Sequence, residues 1–265
     1  MKKALSILFV ILSVSLSACA KGGNNNSESE PSNDYYEGYY SSIRKNLSGG
    51  VNGELRQALT TLIKPKAYYI YEGSEVGALG YELQYYDEDP NNPNNMIMFY
   101  TQESIAKEKS VSAKPWNREH VWPQSKSGGL YGKQGAGTDL LHIRPTRSTT
   151  NGKRGNDVYG YVSGNSWLTY NGIQYGKKAN GVFEPLDVVK GDCARITLYM
   201  WVCYFAERNT PITNNCTDIQ TMIEWAKLDP VSQIEINRNN RVEASNQQNR
   251  NPFVDHPEWI DVIFG

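Results

Sequence analysis

Three histidines make up the whole imidazole complement of the 265-residue chain, and each sits in a motif-like setting. His120 lies in Asn117-Arg118-Glu119-His120-Val121-Trp122-Pro123, His142 in Asp139-Leu140-Leu141-His142-Ile143-Arg144-Pro145, and His256 in Asn251-Pro252-Phe253-Val254-Asp255-His256-Pro257-Glu258. A neutral imidazole takes a proton from water near pH 7, which lysine and arginine do not do readily. A carboxylate, Glu119, is the immediate neighbour of His120. The stretch from Lys114 to Arg154 holds eight basic residues against Glu119 and Asp139, a local charge of +6, while the chain as a whole is at −1. Such a split suits a polyanion meeting one face of an otherwise acidic molecule. A charge run alone is more often a solvated face, so the histidines and the carboxylate carry more of the argument than the charge does. No G-x-S-x-G elbow and no HExxH helix is present, which argues against serine-hydrolase and zincin chemistry.

Arg118-Glu119-His120-Val121-Trp122-Pro123 is followed by His142-Ile143-Arg144-Pro145-Thr146-Arg147-Ser148-Thr149-Thr150-Asn151-Gly152-Lys153-Arg154-Gly155-Asn156. Together with Asn249-Arg250-Asn251-Pro252-Phe253 and Asp255-His256-Pro257-Glu258, this resembles the bacterial endonuclease I family of secreted and periplasmic nucleases, over most of residues 50–258. The resemblance implies a ββα-metal motif, or His-Me finger, in which two short strands and a helix hold one divalent ion. It further implies His120 as general base, Glu119 as one metal ligand and Asn151 as the second. Mg²⁺ is the expected ion, with Mn²⁺ or Ca²⁺ as alternatives, since a hard cation takes carboxylate and amide oxygens and keeps several waters. Arg118, Arg144 and Arg154 are the candidates for holding the scissile phosphate, because guanidinium offers bidentate donors to its oxygens. Where better-known periplasmic members carry a longer, cysteine-bearing insertion with a phosphate-clamping arginine, this chain has the short Ser127–Gly135 segment. Asn156 is read as a polar contact of a helix or turn, Asp139 as a cap or brace, His142 as a structural or phosphate contact, and His256 as a tie for the tail.

The elements that must position these groups read as few strands and several helices, an α+β domain. Leu55, Leu59, Leu62 and Ile63 recur at helical spacing within 52–64. Strands are expected at Tyr68–Tyr71 and Met96–Tyr100, separated by the turn-rich Asp87-Glu88-Asp89-Pro90-Asn91-Asn92-Pro93. A strongly apolar helix is expected over Pro185–Asn209, with Ile196, Tyr199, Met200, Cys203 and Tyr204 on one stripe. Thr217 begins another, and Asp229-Pro230 has the cap-then-proline form of a third, running to about Ser245.

Met1-Lys2-Lys3 and the apolar run Ala4–Leu16 form a secretion signal too short to cross a bilayer, for which about 20 residues are needed. The run ends in Leu16-Ser17-Ala18-Cys19, which resembles the lipobox of bacterial lipoproteins. The expected organisation is a signal peptide over 1–18, a lipidated Cys19 with a polar tether over 19–34, and one nuclease domain over 35–265. Loss of Lys2 and Lys3 takes the mature charge to −3. Cys193 and Cys203 fall ten residues apart in one expected helix, roughly 15 Å, beyond disulfide reach, so at most Cys216 pairs with one of them. The whole reads as a monomeric enzyme held in the bacterial cell envelope through Cys19, at the outer membrane or cell surface, or secreted. It is expected to cut DNA and RNA with little sequence preference and to leave 5′-phosphate ends. A surface lipoprotein that binds nucleic acid without cutting it is the alternative; it leaves the Arg118-Glu119-His120 triplet unexplained.

Overall fold

In the computed structural model, residues 34–73, 78–108, 116–129 and 135–265 are described, and Tyr35–Gly265 forms one compact α+β unit. The signal peptide, Cys19, the tether before Asp34, and Lys114 and Lys133 of the basic block lie outside the described residues. Among the described residues no helix is long and apolar enough to cross a membrane.

Helix α1 (Glu54–Leu62) buries Leu55 and Leu59, and its start is tied down by Ser48, whose amide and hydroxyl donate to Glu54 Oε2 at 3.0 and 3.1 Å. Helix α2 (Leu79–Tyr86) buries Leu79 and Leu83 and leads into an antiparallel sheet of β1 (Glu88–Asp89), β2 (Asn92–Ile97) and β3 (Ser104–Ala106). The strand expected at Tyr68–Tyr71 is not formed. Among the described residues of this segment Ile70 alone makes a bridge, to Ala78, and Gly73 stands at φ 120°, where a side chain would be strained. The Met96–Tyr100 strand is displaced toward the N-terminus, because the Gln102 amide turns back onto Met98 O at 2.8 Å and closes the ladder after Ile97.

The centre of the molecule is a hairpin of β4 (Trp116–His120) and β5 (Ile143–Arg147), paired from Trp116 with Arg147 to His120 with Ile143. It runs directly into α3 (Ser148–Arg154), which Gly155 ends at φ 63°, its amide donating to Asn151 O at 2.8 Å. A four-stranded sheet follows, in the order β6 (Val158–Tyr159), β9 (Val182–Pro185), β8 (Ile173–Ala179), β7 (Trp167–Tyr170), with β6 and β9 parallel.

Helix α4 (Asp187–Met200) is buried from Val189 through Met200 and crosses the core. It widens into a π turn over Trp201–Phe205, where Val202 O accepts from Thr60 Oγ1 at 3.0 Å and Cys203 O from Lys64 Nζ. The single helix expected to Asn209 is therefore α4, this turn and a short 3₁₀ segment at Ala206–Arg208. Helix α5 (Ile219–Leu228) is capped by Asp218, which accepts the Thr221 amide at 2.7 Å. Helix α6 (Gln233–Glu243) begins later than Asp229-Pro230 suggests, because Ser232 and Glu235 form a reciprocal capping box there. Two short helices, α7 (Pro252–Asp255) and α8 (Trp259–Phe264), close the chain against the core. Cys193, Cys203 and Cys216 are all buried and unbridged.

Candidate active site

The end of β4, the following turn and α3 enclose a hollow of about 300 Å³ lined by Arg118, Glu119, His120, Asn151 and Arg154, with Ser125 and Asn156 at its edge. A larger apolar hollow of about 540 Å³, bounded by Ile223, Val231 and Ile260, contains no histidine and shares no residue with it.

Asn151 projects from the middle of α3 toward β4. Its amide nitrogen donates to Asn117 Oδ1 at 2.7 Å and to Arg118 O at 3.1 Å. Both hydrogens are thereby committed, so Oδ1 is the atom left to meet a cation. Glu119 is almost wholly buried, and its Oε1 accepts from the Tyr100 hydroxyl at 2.7 Å and pairs with Arg154 Nη1 at 3.3 Å. Burial raises the Glu119 pKa against the pull of Arg154 and Tyr100, the condition of a carboxylate with room for more positive charge. Tyr100 also shares a 2.7 Å hydrogen bond with Tyr159, over whose ring the Arg154 guanidinium lies at 4.8 Å.

His120 Nε2 lies 3.2 Å from Gly137 O. A carbonyl only accepts, so Nε2 carries the proton and Nδ1 is the basic nitrogen. Burial pushes the His120 pKa down to about 4, with Arg118 and Arg154 adding to the shift, so the imidazole is neutral at physiological pH. Tyr71 stacks on the imidazole at 5.8 Å and 26°, while the Arg118 guanidinium lies 3.9 Å from the centre of the same ring and donates to the Tyr71 carbonyl. Tyr71 thus touches two of the three β4 side chains that line the hollow, His120 and Arg118.

Arg154 does not point its donors at solvent. It is buried, and its guanidinium donates to His120 O at 3.2 Å and Val121 O at 2.8 Å, binding the C-terminus of α3 to the end of β4. Arg144 is not brought to the hollow at all. Its guanidinium bonds Asp87 at 2.7 Å and Asp192 at 3.1 Å and lies over Phe99, and it is buried. Two carboxylates distant in sequence turn it into the core, which the Arg-Pro-Thr-Arg string alone does not disclose. Of the three arginines expected near the phosphate, Arg118 lies along the hollow, Arg154 acts beneath it and Arg144 is elsewhere.

His142 is buried and fully engaged: the Trp122 amide donates to its Nε2 at 2.9 Å, and its Nδ1 donates to Ala136 O at 2.9 Å. Asp139 accepts from Tyr199 at 2.6 Å, Tyr204 at 2.7 Å, Gln247 at 2.7 Å and the Leu141 amide at 2.8 Å, and so braces the core. Asn156 donates to Ser125 Oγ at 3.2 Å, across the mouth of the hollow. His256 bonds Glu258 at 2.9 Å and stacks on Trp259 at 4.0 Å, beside the C-terminal helices. Sequence reasoning passed over Asn117, Tyr71, Tyr100 and the carbonyl of Gly137. Asn117 alone left a signal, as a second amide two residues before Glu119. Among the described residues no group of three or more His, Cys, Asp or Glu side chains is placed to hold a metal.

A neutral imidazole, a buried carboxylate and an oriented amide thus line one hollow formed by a hairpin and the helix that follows it. The family model described as Endonuclease I matches residues 51–258, and the chain belongs to that family. It is similar to an extracellular ribonuclease of Bacillus amyloliquefaciens, 38% identical over 253 residues that cover 86% of this chain and 78% of the relative. An extracellular ribonuclease of Bacillus subtilis (strain 168) is 36% identical over 248 residues, covering 87% and 78%. The protein is a nuclease, a hydrolase of phosphodiester bonds.

Proposed function

We propose that the protein is a divalent-metal-dependent endonuclease that cuts RNA and DNA with little sequence preference, and that the hollow beside His120 is where it does so. The observation that carries the reading is the convergence of Glu119, His120 and Asn151 on one hollow, each with its reactive atom fixed by a neighbour. Glu119 and the Asn151 carbonyl oxygen would hold the cation, and Mg²⁺ fits a site of two oxygen ligands completed by water. When bound, such a cation would stabilise the charge that develops on the phosphate and the leaving oxygen. His120, its proton held on Nε2 by Gly137, would receive a proton from the attacking water at Nδ1. Arg118, its guanidinium held over the Tyr71 ring at 3.9 Å, would meet a phosphate oxygen at the rim. Tyr100 and Arg154 would keep Glu119 in place. With the 3′ oxygen as the leaving group, such an attack would leave the phosphate on the 5′ end of one product and a hydroxyl on the 3′ end of the other.

The Lys2-Lys3 start, the short apolar run and Cys19 support export with lipid anchoring, and the relatives named extracellular ribonuclease support export in particular. The domain over 35–265 would then work outside the cytoplasm on nucleic acid that reaches the envelope.

The test is degradation of plasmid DNA and of a structured RNA by the purified protein, with and without EDTA. Activity should vanish in chelator and return with Mg²⁺ or Mn²⁺ in the wild type. In Glu119→Ala and Asn151→Ala it should be at least about 10²-fold lower under all conditions, in line with loss of a strong electrostatic contribution. Full activity in EDTA would overturn the metal assignment.

A further inference from the structure

A second hollow, of about 480 Å³, lies against the first and shares Ser125 with it; Lys126, Gly128, Thr213 and Asn214 complete its lining. Hollows of this size are sufficient for part of a nucleotide. A polynucleotide that places one phosphate beside His120 must carry the next phosphate and sugar out along the surface. This neighbouring hollow, which meets the first at Ser125, is where such a chain can continue.

Both of its walls are anchored to elements of the active site. The ridge between the two hollows is the 3₁₀ turn Gln124–Lys126, in which the Lys126 amide donates to Pro123 O at 2.9 Å. Trp122, two residues after His120, donates its indole N–H to Lys126 O at 3.2 Å and stacks on Phe205 at 4.2 Å and 21°. The far wall is the turn Ile212–Asn214. The next residue, Asn215, accepts the Tyr159 amide at 2.8 Å and, through Oδ1, Arg154 Nη2 at 3.4 Å. A ligand held between these walls is therefore held in register with Glu119 and His120.

The chemistry of the lining narrows the ligand. Among the described residues it offers an ammonium, two hydroxyls and an amide, and no aromatic ring or carboxylate. Such a set of groups suits phosphate and sugar oxygens rather than the face of a base. Lys126 also feels burial and the charge of Arg154, both of which push its pKa down, whereas Asp157, which pulls it up, has its carboxylate on Lys178 at 2.9 Å. An incoming phosphate would supply the counter-charge.

We propose that this hollow is a nucleotide subsite, in which Lys126 takes the phosphate adjacent to the scissile one and Thr213 and Asn214 bind the sugar between them. The proposal rests on the nuclease reading of the first hollow and adds to it a place for the next nucleotide of the same strand.

Steady-state cleavage of a single-stranded oligonucleotide, followed over a range of salt, tests it. In Lys126→Gln the KM should rise about three- to tenfold, more than kcat falls. The slope of log kcat/KM against log salt should shrink by about 0.7, the value for one phosphate contact on a single strand. The double variant Thr213→Ala with Asn214→Ala should raise KM while keeping the wild-type salt slope, because it removes no charge. A thermal midpoint near that of the wild type certifies each fold. Lys126→Gln with the KM and slope of the wild type would overturn the subsite and leave the nuclease reading standing, and a wild type that fails to cleave would remove that reading itself.

Discussion

His142 holds one hydrogen-bond acceptor and one donor in fixed roles, and that pattern exists only in the neutral ring. Protonation would set an Nε2 hydrogen against the Trp122 amide, and burial already drives the His142 pKa well below its usual value. A folded pKa below the unfolded one, about 6.5, gives stability that is complete above that pH and is lost as pH falls through and beneath it. Denaturant midpoints measured between pH 7.5 and pH 5 should therefore decline, and His142→Asn should remove up to about one proton from the slope, or about 1.4 kcal/mol per pH unit. An unchanged slope in that variant would refute the assignment. Tyr71 makes a different kind of contribution, with its ring covering both His120 and Arg118. Tyr71→Ala should lower kcat about tenfold, equivalent to about 1.4 kcal/mol in the barrier, and Tyr71→Phe should restore it, because the ring and not the hydroxyl makes these contacts. Equal loss in both variants would assign the effect to the hydroxyl instead.

At the level of elements, α3 is joined to β4 through Arg154, which bonds two carbonyls at the strand end and the carboxylate of Glu119. Arg154→Ala leaves that buried carboxylate without its cation, a change worth about 3–5 kcal/mol. Adding Glu119→Gln to it should recover a large part of the stability, read from urea unfolding, and none of the activity; a double variant no more stable than Arg154→Ala would contradict the pairing. The same elements show what could be read from sequence. The meeting of Glu119, His120 and Asn151 in one hollow was legible because β4 pairs with β5 and α3 follows β5 directly, so two short motifs mark where they come together. Arg144 stands in the same motif, yet its direction is set by Asp87 and Asp192, and long-range partners leave no local mark. Helix α6 was placed too early for a related reason: Asp229-Pro230 and Ser232-x-x-Glu235 are both start signals, and the reciprocal pair is the one the chain uses. Tyr68–Tyr71 has the composition of a strand but no partner edge beyond Ala78.

At the scale of the molecule, the three cysteines among the described residues lie in the core with no disulfide among them. Burial pushes Cys203 and Cys216 up to about 12 and Cys193 well above its usual value, so none has thiolate to offer. The 35–265 domain should show no reaction with a thiol reagent until denatured and then titrate three groups, and its thermal midpoint should be the same with and without reductant. A midpoint that drops in reductant would indicate a bridge. The full-length chain carries one more cysteine, Cys19, and Cys19→Ser should move the protein from the membrane fraction to the soluble one with the nuclease intact. Wholly soluble wild-type protein from a bacterial host would contradict the lipid anchor.

The turn Gly135–Thr138 presents consecutive peptide carbonyls to two imidazoles, Ala136 O to His142 and Gly137 O to His120. Because main-chain atoms do the holding, exchanging one side chain for another at 136 or 137 does not delete either acceptor. A library of point substitutions would therefore score this turn by how well it packs and miss its grip on the base. Changing the number of residues has the opposite character: a one-residue deletion shifts every carbonyl along the turn and withdraws both partners together. Length is then the inherited quantity at this place in the chain, and indels are the genetic changes to which the site is exposed.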